Sequence, residues 1–93
     1  KAFPCLKLAI EALKTGGTMP TVLNAANEVA VSMFLEEKIG FMEIPQIIEE
    51  IMDKHEVNIS PSLDDIIEVD MWARREVMNL ESNVRRYGLC RYC

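Results

Sequence analysis

The chain has 93 residues, a net charge of −5 and an apolar fraction of 49%, which suffices for one small hydrophobic core. This acidic balance argues against nucleic acid and anionic membranes as partners, because both require a basic surface. Residues 83–93 contain three arginines and no acid, so taking their +3 from the total of −5 leaves −8 on the preceding body. No apolar run reaches the roughly 20 residues of a membrane-spanning helix. The sequence therefore predicts neither a nucleic acid nor a membrane partner.

The cysteine count and the N-terminal residues indicate the redox compartment and the origin of the chain. The three cysteines are an odd number and so predict no disulfide framework, and free thiols fit a reducing cytoplasm. Phe3, Leu6 and Ile10 follow the first residue, Lys1, almost directly and resemble core positions. We therefore expect the chain to be a fragment of a longer protein.

Two helices are predicted in the first 40 residues. The first spans residues 4–15 and ends at Gly16–Gly17, because glycine adopts the left-handed conformation at low cost. Thr18 is the predicted N-cap of the second, which runs from about Pro20 to Lys38 and stops before Gly40. Apolar residues at helical spacing form the predicted inner faces, which are Leu6, Ala9, Ile10 and Leu13 in the first helix and Val22, Leu23, Ala26, Val29, Ala30, Met33 and Phe34 in the second.

Two further helices follow. The third begins near Glu43 and ends around His55, and Ile59 is expected to pin the loop 55–61 to the core. Ser60 or Ser62 caps the fourth helix, in which Asp70 leaves open a break or a restart. The predicted inner faces are Ile44, Ile47, Ile48, Ile51 and Met52 in the third helix and Leu63, Ile66, Ile67, Val69, Ala73, Val77 and Leu80 in the fourth.

These elements predict one fold class. Four helical segments with short connections and no alternating strand pattern indicate an all-α, compact four-helix bundle, in which the fourth helix is either continuous or broken. We expect the bundle domain to cover residues 1–81. Residues 82–93 lose the helical periodicity, and we expect an unstructured or foreign C-terminal tail there.

The densest polar feature within an apolar helix is the cluster of Asn24, Asn27 and Glu28. Their spacing places all three on one side of the second helix. Such a cluster either contacts a ligand or satisfies polar groups of a neighbouring element, and the second interpretation is favoured because no base, nucleophile or metal set accompanies it. We predict no catalytic, cofactor-binding or metal-binding residue in the chain.

The remaining candidates also have simple structural explanations. His55 is expected to be a solvated cap at a helix C-terminus. Cys90 and Cys93 form a C-x-x-C pair, but a zinc site needs two more ligands and only Cys5 and His55 remain. Asp64, Asp65 and Glu68 are interpreted as first-turn charges, and Gly16–Gly17 as a helix stop. Trp72 is interpreted as a packing residue or an interdomain contact. The solvated ionic face is formed by Arg74, Arg75 and Glu76.

Four segments of the chain form a recognisable set. They are FPCLKLAIEAL at 3–13, GGTMPTVLNAANEVAVSMFL at 16–35, KIGFMEIPQII at 38–48 and SLDDIIEVDMWARREV at 62–77. Together they resemble the C-terminal domain of one enzyme family, 1-deoxy-D-xylulose 5-phosphate reductoisomerase. The most specific part is LNAANE followed by an apolar helix, with D-x-x-A-R downstream. The resemblance covers residues 3 to about 80, and residues 83–93 have no counterpart in it.

The resemblance implies a homodimeric, NADPH-dependent parent enzyme of isoprenoid precursor synthesis. It would convert 1-deoxy-D-xylulose 5-phosphate to 2-C-methyl-D-erythritol 4-phosphate with Mg²⁺ or Mn²⁺, in a bacterial cytoplasm or in a plastid. The family's metal-binding, phosphate-binding and lid residues would lie upstream of Lys1. Accordingly, the resemblance assigns no cofactor and no site residue to this chain, and Trp72 is not the lid tryptophan.

The expected function is therefore a non-catalytic structural domain. Its partner would be the upstream catalytic domain, contacted through an apolar face on the first two helices. Phe3, Leu6 and Phe41 are then expected to be covered in the complete enzyme. A free-standing helical module that binds another protein stays open as the alternative. A cysteine-based metal or redox protein is a third possibility, and it depends on Cys90 and Cys93.

Overall fold

Four α-helices make up the described part of the chain. The structure, a computed structural model, describes residues 4–87, with side chains described for residues 4–80. Helix α1 spans Pro4–Thr15, α2 Met19–Leu35, α3 Glu43–Lys54 and α4 Leu63–Tyr87. The predicted all-α four-helix fold is thus confirmed, and residues 4–87 contain no strand. Among the helices of residues 4–87, none combines the length and the hydropathy of a membrane-spanning segment.

Helices α2 and α3 form the centre of the bundle, and each contacts all three other helices. Helices α1 and α4 flank this pair and do not touch each other within the described residues, which gives a flattened body of 40 × 28 × 20 Å. The core is built largely from α2 and α3. Its buried apolar residues on these two helices are Met19, Val22, Ala25, Ala26, Ala30, Met33, Ile44, Ile48, Ile51 and Met52.

The inner face predicted for α3 is confirmed, whereas that predicted for α1 is wrong. Leu8 and Ala12 are the buried residues of α1, while Leu6, Ile10 and Leu13 are exposed at 59%, 45% and 73%. The two sets lie on opposite sides of a helix that is apolar on both, so periodicity alone could not decide which side faces inward. Packing decides it, because the small Ala12 permits close approach to the central pair.

Helix α4 is continuous, so the break considered at Asp70 does not occur. Ala73 and Val77 are buried as predicted, whereas the start of the helix is only loosely covered. The predicted core residues Leu63, Ile66 and Ile67 are exposed there. The helix extends to Tyr87, past the boundary predicted after residue 81, and residues 88–93 lie outside the described part of the chain.

The ends of α1 and α2 depend on left-handed residues. Gly16 and Gly17 have φ angles of 75° and 56°, which confirms the predicted end of α1. Helix α2 ends at Leu35 rather than Lys38, because Glu37 takes the left-handed conformation with φ 62°. The amides of Glu37 and Lys38 then donate to the carbonyls of Phe34 and Met33 at 2.9 Å each, which is the Schellman pattern.

Helix α4 begins with a capping box. The Asp65 amide donates to Ser62 Oγ at 3.1 Å, and the Ser62 amide donates to Asp65 Oδ2 at 3.0 Å. Ser62, rather than Ser60, is therefore the cap. Ile59, which was expected to pin the preceding loop, is 68% exposed, so that prediction is wrong.

Candidate functional site

The predicted polar cluster on α2 lies at the surface that faces α4. Asn24 and Glu28 are exposed and Asn27 is half-buried. Glu28 Oε1 accepts a hydrogen bond of 2.8 Å from Arg74 Nη2. Asn24 lines a shallow groove with Ile67 and other residues of α4, and neither asparagine makes a side-chain hydrogen bond within the described residues. The three residues do share one side of α2, but only Glu28 is tied to a neighbouring element.

Arg74 connects this cluster to its own helix. Its Nε donates to Asp70 Oδ2 at 2.9 Å, and its Nη2 donates to Asp70 Oδ1 at 3.3 Å. The Asp70 hydrogen bonds, followed by that of Glu28, raise the pKa of Arg74, so the guanidinium stays charged. The LNAANE and D-x-x-A-R motifs are thus joined by an ion bridge between α2 and α4. Its atoms are already engaged with one another, which favours a structural role.

A second polar cluster joins the α1–α2 turn to the α3–α4 connection. Thr18 is completely buried, and its Oγ1 lies 2.7 Å from His55 Nε2. The Asn58 amide donates to Thr18 Oγ1 at 3.0 Å, and the Thr18 amide donates to the Asn58 carbonyl at 3.0 Å. We call this reciprocal Thr18–Asn58 pair the clasp. Thr18 occupies the N-cap position of α2 as predicted, but its side chain makes no capping hydrogen bond because the clasp engages it.

Gly17 brings the two segments together at the clasp. A Cβ atom on Gly17 would collide with the Asn58 carbonyl oxygen, whereas one on Gly16 would meet nothing within 4 Å. The Asn58 side chain extends the same junction into α4. Its Nδ2 donates to Asp65 Oδ2 at 3.1 Å, and its Oδ1 accepts from the Ser60 amide at 3.0 Å.

His55 is the C-cap residue of α3, as expected, but it is not fully solvated. Its ring is half-buried and lies 5.3 Å from the Trp72 ring, centroid to centroid, at an interplanar angle of 37°. Burial lowers the pKa of His55, and this outweighs the opposite influence of the Glu56 carboxylate. The neutral imidazole is therefore favoured, and Trp72 has the packing role that was predicted.

Two of the other candidates, Asp65 and Glu76, form polar contacts within the bundle. Asp65 belongs to the capping box, and hydrogen bonds from the Ser62 amide and hydroxyl lower the pKa of its carboxyl. Glu76 pairs with Lys54 at 3.3 Å. Among the described side chains, no group of three or more histidine, cysteine or acidic residues could hold a metal ion, and Cys90 and Cys93 lie beyond them.

Sequence reasoning missed the partnership of Thr18 with His55 and Asn58. The partners are 37 and 40 residues apart, so no local spacing reveals it. One signal was present, since a glycine followed by threonine at a helix start permits a close backbone approach. The segment that makes this approach could be known only from the fold.

Together, these observations define a helical bundle domain whose described polar side chains mainly tie its own helices together. The family model for the DXP reductoisomerase C-terminal domain matches residues 1–76. The chain belongs to the C-terminal domain family of 1-deoxy-D-xylulose 5-phosphate reductoisomerase, as the sequence motifs indicated.

Individual relatives agree with this assignment. The chain is 64% identical over 77 residues to the 1-deoxy-D-xylulose 5-phosphate reductoisomerase of Acetivibrio thermocellus, with 83% of this chain and 20% of the relative covered. It is 53% identical over 89 residues to that of Prochlorococcus marinus, with 92% and 22% covered. The solved reductoisomerase from Zymomonas mobilis in complex with NADPH matches with a TM-score of 0.79 and 44% identity, over 85% of this chain and 21% of that one. The chain thus spans about a fifth of the length of these relatives.

Proposed function

We propose that this chain is the C-terminal structural domain of a 1-deoxy-D-xylulose 5-phosphate reductoisomerase and that it supports the upstream catalytic domain. The observation that carries this proposal is the match of nearly the whole bundle to one fifth of a solved reductoisomerase. A free-standing interaction module would have relatives of similar length, whereas these relatives are about five times as long.

The proposal includes the properties of the parent enzyme. We infer a homodimer that works in the cytoplasm, uses NADPH and Mg²⁺ or Mn²⁺, and converts 1-deoxy-D-xylulose 5-phosphate to 2-C-methyl-D-erythritol 4-phosphate. The NADPH complex of the Zymomonas mobilis relative supports the choice of cofactor. The bundle itself contributes neither cofactor ligands nor reacting groups in this scheme, and the Glu28–Arg74–Asp70 bridge holds α2 to α4.

The outer face of α1 is our proposed contact with the catalytic domain. Leu6, Ile10 and Leu13 lie along one side of this helix and are exposed in the isolated chain, and an apolar row of this kind is typical of a covered surface. The sequence favoured α1 and α2 together. The apolar side chains of helix α2, however, pack in or against the core. Of its large apolar side chains, only Leu35 is exposed.

The test compares the complete parent protein with a version that ends before Lys1. NADPH oxidation is followed with 1-deoxy-D-xylulose 5-phosphate and Mn²⁺. We expect activity in the complete protein and a large loss on truncation, because the catalytic domain would lose its support. A complete protein that oxidises no NADPH would refute the proposed activity, and a truncated protein with full activity would refute the supporting role.

A further inference from the structure

The Thr18 hydroxyl provides the starting point for an inference about pH. Its oxygen already accepts the Asn58 amide hydrogen at 3.0 Å, and the group is completely buried. Among the described residues, the hydrogen of the Thr18 hydroxyl has one acceptor within reach, which is His55 Nε2 at 2.7 Å from Oγ1. The hydroxyl therefore donates to a neutral imidazole that carries its proton on Nδ1.

Protonation of His55 would break this arrangement. Nε2 would then carry a hydrogen and become a donor, so the buried Thr18 hydroxyl hydrogen would lose its acceptor. A buried donor without a partner is destabilising. Opening of the junction would relieve this conflict, because water could then reach both groups.

We propose that the Thr18–His55 hydrogen bond is a pH-dependent latch, in which neutral His55 holds the α3–α4 connection against the α1–α2 turn and protonated His55 releases it. The two segments joined by the latch also form the clasp. Release of the latch would therefore weaken the contacts that Asn58 makes with Thr18 and with Asp65 at the start of α4. Burial lowers the pKa of His55, which favours the neutral form that this hydrogen bond requires.

The charges around His55 are mixed in sign. Lys54 and Glu56 flank it in sequence, and Glu68 and Arg75 of α4 line the same groove of about 580 Å³. Lys54 is paired with Glu76. Residues 16–20 of the α1–α2 turn contain no ionisable side chain, so the turn meets His55 only through hydrogen bonding and packing.

The sign of the pH dependence follows from linkage. The pKa of His55 is lower in the folded state than in the unfolded chain, so the open or unfolded state binds the proton more readily. The stability contributed by the latch is present at neutral pH. It is lost as the pH falls from the unfolded pKa of about 6.5 towards the lower pKa of the folded state.

The 93-residue chain suits a direct test, because His55 is its only histidine. Its ring resonances report the titration from pH 4 to pH 8, and amide hydrogen exchange reports the clasp at Thr18 and Asn58. We expect His55 to titrate below 6.5 and the protection factors of both amides to fall by up to about tenfold per pH unit across the titration.

Variants separate the latch from other causes. His55→Gln keeps an acceptor that cannot be protonated in this range, so its protection factors should stay constant with pH. Thr18→Ser keeps the hydroxyl and should behave like the parent chain. Thr18→Val should raise the pKa of His55 above that of the parent chain, because it removes the hydrogen bond to the neutral imidazole. Glu56→Gln and Glu68→Gln should retain the pH dependence.

Three results would overturn the proposal. The first is a His55 that titrates at or above 6.5, and the second is the same pH dependence in His55→Gln as in the parent chain. The third is a chain without helical structure at pH 7.5, since the latch requires the folded bundle. None of these results depends on the activity proposed for the parent enzyme.

Discussion

Gly16 and Gly17 have similar left-handed backbones but different surroundings. Only Gly17 lies against the Asn58 carbonyl, so its missing side chain serves both the turn and the clasp. Gly16 serves only the turn, because open space surrounds its Cα. Substitutions at these two positions therefore distinguish the effect of backbone strain from that of steric collision.

The alanine variants at these two positions should differ in stability. Gly16→Ala is expected to lower the free energy of unfolding by about 1 kcal/mol, which is the strain of a left-handed alanine. Gly17→Ala should cost about 3 kcal/mol or more, because the collision adds to the strain. Urea denaturation of both variants measures the difference, and equal losses would show that the Asn58 approach contributes nothing.

Glu37 presents the opposite situation, since a residue other than glycine occupies a left-handed C′ position. Glu37→Gly should raise the free energy of unfolding by about 0.5–1 kcal/mol, because glycine adopts this conformation without strain. Glu37→Ala is the control, since it removes the charge and keeps the strain. Thermal unfolding checks the pair, and a gain in the alanine variant would assign the effect to charge instead.

Sequence reasoning worked best for elements with a single apolar face. Helix α3 has one such face, and its bounds and its buried isoleucines follow from spacing alone. Helix α1 is apolar on two sides, and the wrong side was chosen because nothing local distinguishes Leu8 from Ile10. The clasp and the His55 environment were not predictable either, because they join segments about 40 residues apart.

The start of α4 depends on its capping box, whose contribution can be measured. Ser62→Ala removes the acceptor of the Asp65 amide and should lower the free energy of unfolding by about 1 kcal/mol. Ser60→Ala should change it little, since only the Ser60 backbone takes part in the loop. Chemical denaturation of both variants provides the comparison, and equal effects would contradict the assignment of Ser62 as the cap.

The contribution of this capping box to stability depends on pH through Asp65. Its pKa is lowered in the folded state, so its stabilising effect is present above the unfolded pKa and is lost as the pH falls through the lower folded value. Loss of the Ser62 hydroxyl should make acid unfolding less dependent on Asp65. His55 acts in a higher pH range, so the two effects are separable.

At the scale of the whole molecule, the outer face of α1 lies outside the bundle's own core, and we propose that it contributes to assembly. Leu6→Ser and Ile10→Ser should change the unfolding free energy of the 93-residue chain by about 0.5 kcal/mol or less, as expected for exposed positions. Leu8→Ala, on the same helix, should cost about 2–3 kcal/mol because Leu8 is buried. In the parent enzyme that we propose, the serine variants should lower thermal stability and NADPH oxidation, and unchanged values would exclude this face as the contact.

The clasp also has a consequence for the order of folding. The four helices can form from local contacts, whereas the Thr18–Asn58 pair closes a loop of about 40 residues, which carries an entropic cost that local contacts do not have. The clasp should therefore form after the main folding barrier. Loss of its hydroxyl in Thr18→Val should then accelerate unfolding and leave the refolding rate nearly unchanged, as stopped-flow measurements would show. The junction that fixes the final geometry of the bundle would thus determine how long the folded state persists rather than how quickly it is reached.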